Sequence, residues 1–79
     1  MADMRALVEE IAKSLVDEPG QVQVKEVPGG QSTTLELTVA PGDLGKVIGQ
    51  QGRTARSMRA LIAAAGTKAN RRYTLEIVE

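Results

Sequence analysis

Hydrophobic residues near the N-terminus recur at steps of three and four, in the pattern of an amphipathic helix. These positions are Met4, Leu7, Val8, Ile11, Ala12, Leu15 and Val16. Proline and glycine follow at positions 19 and 20, and this pair cannot continue a helix. The pattern therefore predicts a helix from about Ala2 to Val16, with one face against the protein core.

Two later segments alternate apolar and polar residues, which is typical of strands with one buried face. QVQVKEV alternates valine with polar residues, and STTLELTVA alternates Leu35, Leu37 and Val39 with polar residues. PGGQ, between them, is typical of a turn. We predict an antiparallel hairpin with strands at about 21–27 and 32–40.

The second half of the chain predicts two more helices and a third strand. Pro41-Gly42 ends the second strand, and Asp43 is a suitable N-cap for a helix of about one turn over Leu44–Ile48. A longer helix is predicted over Arg53–Ala65, with Gly66 as its C-terminal cap. The final segment, RRYTLEIVE, alternates again and is predicted to be a strand.

The element order α-β-β-α-α-β predicts an α+β fold. The economical way to bury these apolar stripes is one three-stranded mixed sheet, covered on one face by three helices. The other face of the sheet would carry the polar alternate positions and contact solvent. A chain of 79 residues is expected to form a single domain, residues 1–79.

Composition argues against an enzyme. The chain has no histidine and no cysteine, so the commonest general acid–base residue, nucleophilic thiols and thiolate zinc sites are all missing. The carboxylates are scattered, without the spacing of a metal site. We therefore predict no catalytic residues, no cofactor and no metal.

The N-terminal segment does not resemble a signal peptide, because Glu9 and Glu10 interrupt its apolar residues. No stretch approaches the roughly 20 apolar residues that a membrane span requires. The sequence therefore predicts a cytoplasmic protein that does not contact a membrane.

Charge is distributed unevenly along a chain whose formal net charge is zero. Residues 1–40 carry three basic and seven acidic side chains, whereas residues 41–72 carry seven basic side chains and one acidic one. A basic region of this kind is the usual electrostatic footprint of an anionic partner.

The basic region begins with GKVIGQQGRTARSMR, in which glycines at 45, 49 and 52 precede arginines at 53, 56 and 59. A simple corner between two helices and a solvated helix face are the structural alternatives. However, positions 49–52 offer no side-chain cap, and Arg53 adds positive charge to a helix N-terminus. A phosphate bound by the backbone N–H groups of Gly52, Arg53 and Thr54 would remove both faults.

The segment VIGQQG after a short helix resembles the I-G-x-x-G signature of the KH domain. The predicted element order resembles the type II, prokaryotic form of this domain, and the resemblance covers essentially the whole chain. It implies a loop at Gly49–Gly52 that clamps the backbone of about four single-stranded nucleotides. The loop centre here is Gln50-Gln51, which supplies hydrogen bonds but no charge.

The resemblance implies that one wall of the groove comes from the short helix and the loop, and the other from the last strand near residues 71–75. With the basic side chains and loop amides, the candidate RNA-binding residues are Leu44, Gly45, Lys46, Ile48, Gly49, Gln50, Gln51, Gly52, Arg53, Thr54, Arg56, Arg71 and Arg72. Tyr73 is the only aromatic residue of the chain, and we expect the groove to lack aromatic side chains. Base stacking is then missing, and binding is expected to be weak and sequence-tolerant.

The resemblance also implies partners and a role. It implies single-stranded RNA as ligand, a homodimer, and a complex with a larger KH-containing RNA-binding protein. The implied role is that of a post-transcriptional regulator or RNA chaperone linked to cell elongation and division. The alternative is a protein-interaction module with little RNA binding, acting through the alanine-rich end of the second long helix, Ala60, Ala63, Ala64 and Ala65.

Overall fold

The computed structural model describes residues 3–79, so Ala2, where the first helix was predicted to begin, lies outside the described part. Helix α1 spans Met4–Leu15. The carboxylate of its N-cap, Asp3, accepts hydrogen bonds from two backbone N–H groups of the first turn. Its buried residues are Met4, Val8 and Ala12, which confirms the predicted amphipathic helix.

The predicted hairpin is confirmed, with shorter strands. Strand β1 spans Gln23–Pro28 and pairs antiparallel with strand β2, Thr33–Thr38. β1 begins two residues later than predicted because Pro19–Gln21 forms a turn of 3-10 helix. β2 ends at Thr38, two residues before the predicted end.

The remaining elements complete a mixed sheet. Helix α2 spans Leu44–Ile48, helix α3 spans Arg53–Lys68, and strand β3 spans Tyr73–Ile77. β3 lies parallel to β2, and the strand order is β1-β2-β3. Parallel neighbours need a crossover connection, which α2 and α3 provide. The α+β fold, the α-β-β-α-α-β order and the type II KH architecture are therefore confirmed.

The hydrophobic core lies between the helices and one face of the sheet. Apolar side chains from every helix and strand belong to one cluster, and its largest fully buried members are Leu35, Leu37, Met58, Ile62, Val8 and Val47. The opposite face carries threonines and charged residues, including a Thr34–Thr74 pair with hydroxyl oxygens 3.1 Å apart. The sheet therefore has one buried and one solvent-facing side, as its alternating strands predict.

The prediction that Gly66 caps α3 is wrong, because the helix continues through it to Lys68. The left-handed residue after the helix is Asn70, with φ 58°. The N–H of Arg71 donates to the Gly66 carbonyl at 2.8 Å, in the pattern of a Schellman ending. Gly66 is needed for space: a Cβ there would lie 2.6 Å from the Arg71 carbonyl oxygen and 3.1 Å from the Tyr73 ring.

Asp43 occupies the N-cap position of α2, but its side chain does not cap that helix. The carboxylate instead accepts hydrogen bonds from the backbone N–H groups of Asp17, at 3.2 Å, and Glu18, at 3.0 Å. The Lys46 ammonium lies 3.5 Å from the same carboxylate and 3.2 Å from that of Asp17. The predicted capping role is therefore wrong, and Asp43 joins the turn after α1 to the start of α2.

This environment changes the acidity of Asp43, which is 3% exposed. Burial by itself raises the pKa of the carboxyl group, but the N–H groups of Asp17 and Glu18 and the charge of Lys46 outweigh that effect. The pKa of Asp43 therefore lies below its usual value. Conversely, the hydrogen bond and charge of Asp17 raise the pKa of Lys46.

We expect Asp43→Asn to lower the thermal midpoint of unfolding at neutral pH. The amide keeps one acceptor oxygen but presents its NH₂ group to a backbone donor. Because the pKa of Asp43 is lower in the folded chain, its carboxylate stabilises the fold above the unfolded pKa, and this contribution disappears as pH falls through the folded pKa. Midpoints measured from about pH 5 to about pH 2 should therefore fall less steeply in the variant.

Glu10→Gln is the matched control, since it removes an exposed carboxylate from α1. Its midpoint at neutral pH should stay close to that of the wild type. An Asp43→Asn variant with wild-type stability and an unchanged acid profile would contradict the structural role of Asp43.

Candidate functional site

The glycine loop, residues Gly49–Gly52, has a backbone that ordinary residues adopt with difficulty. Gly49 has φ 78° and ψ 171°, and Gly52 has φ 74° and ψ 14°. Between them, Gln51 has φ 56° and ψ 26°, a left-handed conformation that is uncommon outside glycine. Such a loop persists only where the surrounding structure holds it, and residues of this kind cluster at functional sites.

Thr54 explains why glycine is required at the first of these positions. A Cβ at Gly49 would lie 2.8 Å from the Thr54 backbone nitrogen and even closer to its hydroxyl oxygen. At Gly52, apart from its chain neighbours, no atom of the described residues lies within 4 Å of an added Cβ, so the space beside it is open. The first glycine therefore allows the loop to contact the start of α3, whereas the second leaves room for a ligand to approach the backbone.

The N-terminus of α3 lacks a side-chain cap and an acidic residue in its first turn, as the sequence predicted. The expected amide donors are less available than predicted. The Gly52 N–H donates to the Gly49 carbonyl at 3.2 Å, and the Arg53 N–H donates to the Gln50 carbonyl. A bound phosphate would compete with these two bonds, which follow the tight 3-10 geometry.

A groove beside the glycine loop, here called the loop groove, separates α2 and α3 from the edge of β3. Its volume is about 460 Å³. The helix side contributes Ile48, Gly52, Ala55 and Arg59, and the strand side contributes Thr34, Thr74, Leu75, Glu76, Ile77 and Glu79. The predicted residues Ile48 and Gly52 therefore lie across the groove from the last strand, and the lining combines apolar side chains with polar and charged ones.

Arg59 crosses this groove. Its Nε donates to the Leu75 carbonyl oxygen at 3.3 Å, so a helix side chain binds a backbone acceptor of the edge strand. The sequence analysis noted Arg59 in the arginine series but did not place it among the site residues. The available signal was spacing: Arg59 follows Ala55 by four residues, so both side chains lie on the same side of α3.

Glu76 and Glu79 are the charged residues of the strand side that the sequence analysis did not place in the site. They place two carboxylates in the wall opposite the helix. Their only signal in the sequence is their position in and after the last strand. The wall to which they belong becomes clear only when that strand is placed in the sheet. A groove with carboxylate acceptors can receive hydrogen bonds from the amino groups of bases.

The predicted basic residues occupy different positions. Arg53 and Arg56 are exposed near the glycine loop, and an Nη of Arg53 donates to the Gln51 side chain at 3.3 Å. Lys46 is paired with two carboxylates, as described above, so its charge is offset within the chain. Of the remaining α2 candidates, Leu44 packs against the core, whereas Gly45 is exposed and has open space beside it.

Arg71 and Arg72 are not brought to the glycine loop. They follow α3, whose 16 residues place its two ends about 24 Å apart. Both line a separate cavity of about 760 Å³, together with the hairpin turn at 29–33. The sequence analysis placed these arginines in the wall opposite the loop because the resemblance assigns that wall to the last strand near residues 71–75. The strand residues that line the loop groove are instead Thr74–Ile77.

Within residues 3–79, no helix combines the length and apolarity needed to cross a bilayer. The same described part contains no group of three or more carboxylate side chains that could hold a metal ion. The arrangement instead offers an uncapped helix N-terminus, exposed arginines and an apolar groove, which together suit an extended anionic ligand with apolar faces.

Comparison with known proteins agrees with this geometry. Residues 5–77 match the family model described as KhpA/KhpB, KH domain. The chain is 59% identical over 75 residues to the RNA-binding protein KhpA of Clostridium acetobutylicum, covering 95% of this chain and 100% of the relative.

More distant relatives cover the chain equally well. The RNA-binding protein KhpA of Halalkalibacterium halodurans is 51% identical over 76 residues, which are 96% of this chain and 100% of the relative. The RNA-binding protein KhpA of Aquifex aeolicus is 46% identical over 79 residues, which are 100% of both chains.

We expect the two loop glycines to respond differently to asparagine. Gly52→Asn should keep a thermal midpoint near that of the wild type, because asparagine tolerates the left-handed region and the added side chain meets open space. Gly49→Asn should destabilise the fold by about 1–3 kcal/mol from backbone strain alone, to which the clash with Thr54 adds. Thermal unfolding by circular dichroism measures both effects, and equal losses would contradict the described loop geometry.

Proposed function

The chain belongs to the KhpA/KhpB KH-domain family, and from this membership we propose that it binds single-stranded RNA through its glycine loop and loop groove. The family is one of RNA-binding KH proteins and not of enzymes, so the chain is an RNA-binding KH protein without catalytic activity.

The observation that carries the proposal is the conformation of the glycine loop beside an uncapped helix. Three of the four loop residues have positive φ angles. This backbone leaves the space at Gly52 open, next to the N-terminus of α3, where the helix dipole favours an anion. The sugar–phosphate backbone would lie against the loop, with the phosphate replacing the weak internal bonds of the Gly52 and Arg53 amides.

Arg53 and Arg56 would supply the charge that Gln50 and Gln51 lack. Both arginines are exposed and lie within the first turn of α3 after the loop. Lys46 is better assigned to the fold, since two carboxylates already neutralise it. RNA binding at the loop would thus depend on Arg53, Arg56 and the helix dipole. So few positive charges favour modest affinity, and their contacts with phosphates make that affinity depend strongly on salt.

The loop groove would hold the bases. Ile48, Ala55 and Leu75 provide apolar contacts, and Glu76 and Glu79 provide acceptors on the strand side. Apolar contacts accept any base, so sequence tolerance remains the expectation. The carboxylates would favour bases that present an amino group over uracil, which has none.

We also propose that the protein forms a homodimer through α3 and associates with a KhpB-like KH-containing partner. Leu61 is 55% exposed and lies between the exposed alanines Ala60 and Ala64 on α3. At 100° per residue, Leu61 points away from Arg59, which leaves the loop groove open when this surface is covered. Such a surface also supports the alternative that protein association is the main activity.

The proposed setting is the cytoplasm, where the RNA ligand is found. There the protein would act as a post-transcriptional regulator or RNA chaperone, in a role linked to cell elongation and division through its KhpB-like partner. The family membership supports this setting.

We expect Gln50→Asp combined with Gln51→Asp to abolish RNA binding while the fold remains intact. Both side chains are exposed, and aspartate tolerates the left-handed conformation of Gln51. The two charges would repel the phosphates, so fluorescence anisotropy with single-stranded RNA should show an affinity loss of at least about tenfold. The neutral double variant Gln50→Asn and Gln51→Asn is the control, and wild-type binding by the aspartate variant would refute the clamp.

We expect the thermal midpoint of the wild type to rise with protein concentration, because dissociation of a dimer is linked to unfolding. Leu61→Asp should remove this dependence and give a monomer in sedimentation. Val78→Asp replaces another exposed apolar residue, outside α3, and should leave the dimer unchanged. A monomeric wild type over a hundredfold dilution would contradict the dimer without affecting the RNA proposal.

A further inference from the structure

The loop groove does not end at Arg59 but continues along the boundary between α3 and β3. Four cavities lie in sequence, and each shares lining residues with the next. Arg59 and Leu75 belong to the first and second, Ala63 and Tyr73 to the second and third, and Thr67, Arg71 and Arg72 to the third and fourth. The three cavities beyond the loop groove, which run along this boundary from Arg59 to Arg72, are together called the seam.

The seam contains the only aromatic residue of the chain. Tyr73 is half-buried and lines both central cavities, beside Ala63 of α3. Its ring lies close to Gly66, where a Cβ would come within 3.1 Å of it. An aromatic ring is therefore available for base stacking next to the loop groove, in which the sequence analysis expects none.

The far end of the seam is basic. Arg71 and Arg72 line both the third and fourth cavities, and the fourth is completed by the turn at Gly29–Thr33. Among residues 3–79, no acidic residue lines the three cavities of the seam, whereas the loop groove contains Glu76 and Glu79. The seam therefore offers an aromatic ring followed by two arginines, the combination that binds a base and then its phosphates.

We propose that the seam is a second RNA-binding segment, which holds the nucleotides of a single strand that continue beyond the loop groove. This inference depends on the proposed RNA binding at the glycine loop. Tyr73 stacks on a base, Arg71 and Arg72 contact the phosphates, and Arg59 lies between the two segments.

The dimensions fit this extension. A KH loop groove holds about four nucleotides. The part of α3 from Arg59 to Lys68 is about 15 Å long, so the seam adds room for roughly two or three further nucleotides of extended strand. The full footprint is then about six or seven nucleotides, within the range of other single-strand binding surfaces.

The test compares oligoadenylates of about four and about eight nucleotides by fluorescence anisotropy. Arg71→Gln combined with Arg72→Gln should weaken binding of the longer RNA by about tenfold and lower its salt slope by roughly 1.4, or 0.7 per phosphate contact. The control Lys13→Gln with Lys25→Gln removes the same charge from α1 and β1 and should leave binding unchanged. Longer RNA can occupy one groove in several registers, but this statistical gain is common to all variants and cancels in the comparison.

Tyr73 supplies a second, independent measurement. Since it is the only aromatic residue, protein fluorescence reports on this site alone. The longer RNA should quench that fluorescence beyond the inner-filter effect measured with free tyrosine amide, and Tyr73→Leu should weaken its binding while keeping an apolar side chain.

The outcomes separate the two proposals. If wild type binds the longer RNA, the arginine variant binds it like the control, and tyrosine fluorescence is not quenched, the seam is refuted and the loop groove stands. If wild type binds neither RNA, the proposed RNA-binding function fails, and the seam fails with it.

Discussion

The position of the glycine loop depends on a buried carboxylate that is not part of the loop. Helix α2 has only five residues and cannot maintain itself through its own hydrogen bonds. Asp43 ties its start to the backbone of Asp17 and Glu18, and Val47 anchors its middle in the core. Gly49 directly follows this short helix, so the contacts that fix the helix also fix the start of the loop. The Asp43 contacts therefore determine where the loop begins.

The loop itself is held from its other side by α3. Gly49 fits against Thr54 only because it lacks a side chain, and Gln51, two residues later, has a left-handed backbone. Conformations of this kind cost on the order of 1–3 kcal/mol each. The core contacts of Val47 and Met58, on the two helices that flank the loop, offset such a cost. Strain at the loop and close packing below it are thus parts of one arrangement.

Sequence patterns predicted the features that depend on neighbouring residues. The alternation of Leu35 and Leu37 identified a strand, and the glycine spacing identified the loop. Features that depend on distant contacts were not accessible: Asp43 binds backbone groups 25 and 26 residues earlier. Gly66 is predicted to end a helix because glycine is common just after the last helical residue. In the structure its role depends on β3 instead, because Arg71 and Tyr73 pack against the helix at this glycine, and the helical pattern does not show that contact.

Gly66 also connects the packing of α3 to the distribution of charge. Without a side chain there, residues 71–73 approach the helix closely, and Asn70 reverses the chain in a left-handed turn. That close approach places Tyr73 beside the helix and turns Arg71 and Arg72 toward the hairpin instead of the glycine loop. The positive charge of this neutral chain is therefore divided between the two ends of α3. An extended anion that follows the groove between α3 and β3 would contact both ends, and the close packing at Gly66 shapes that path.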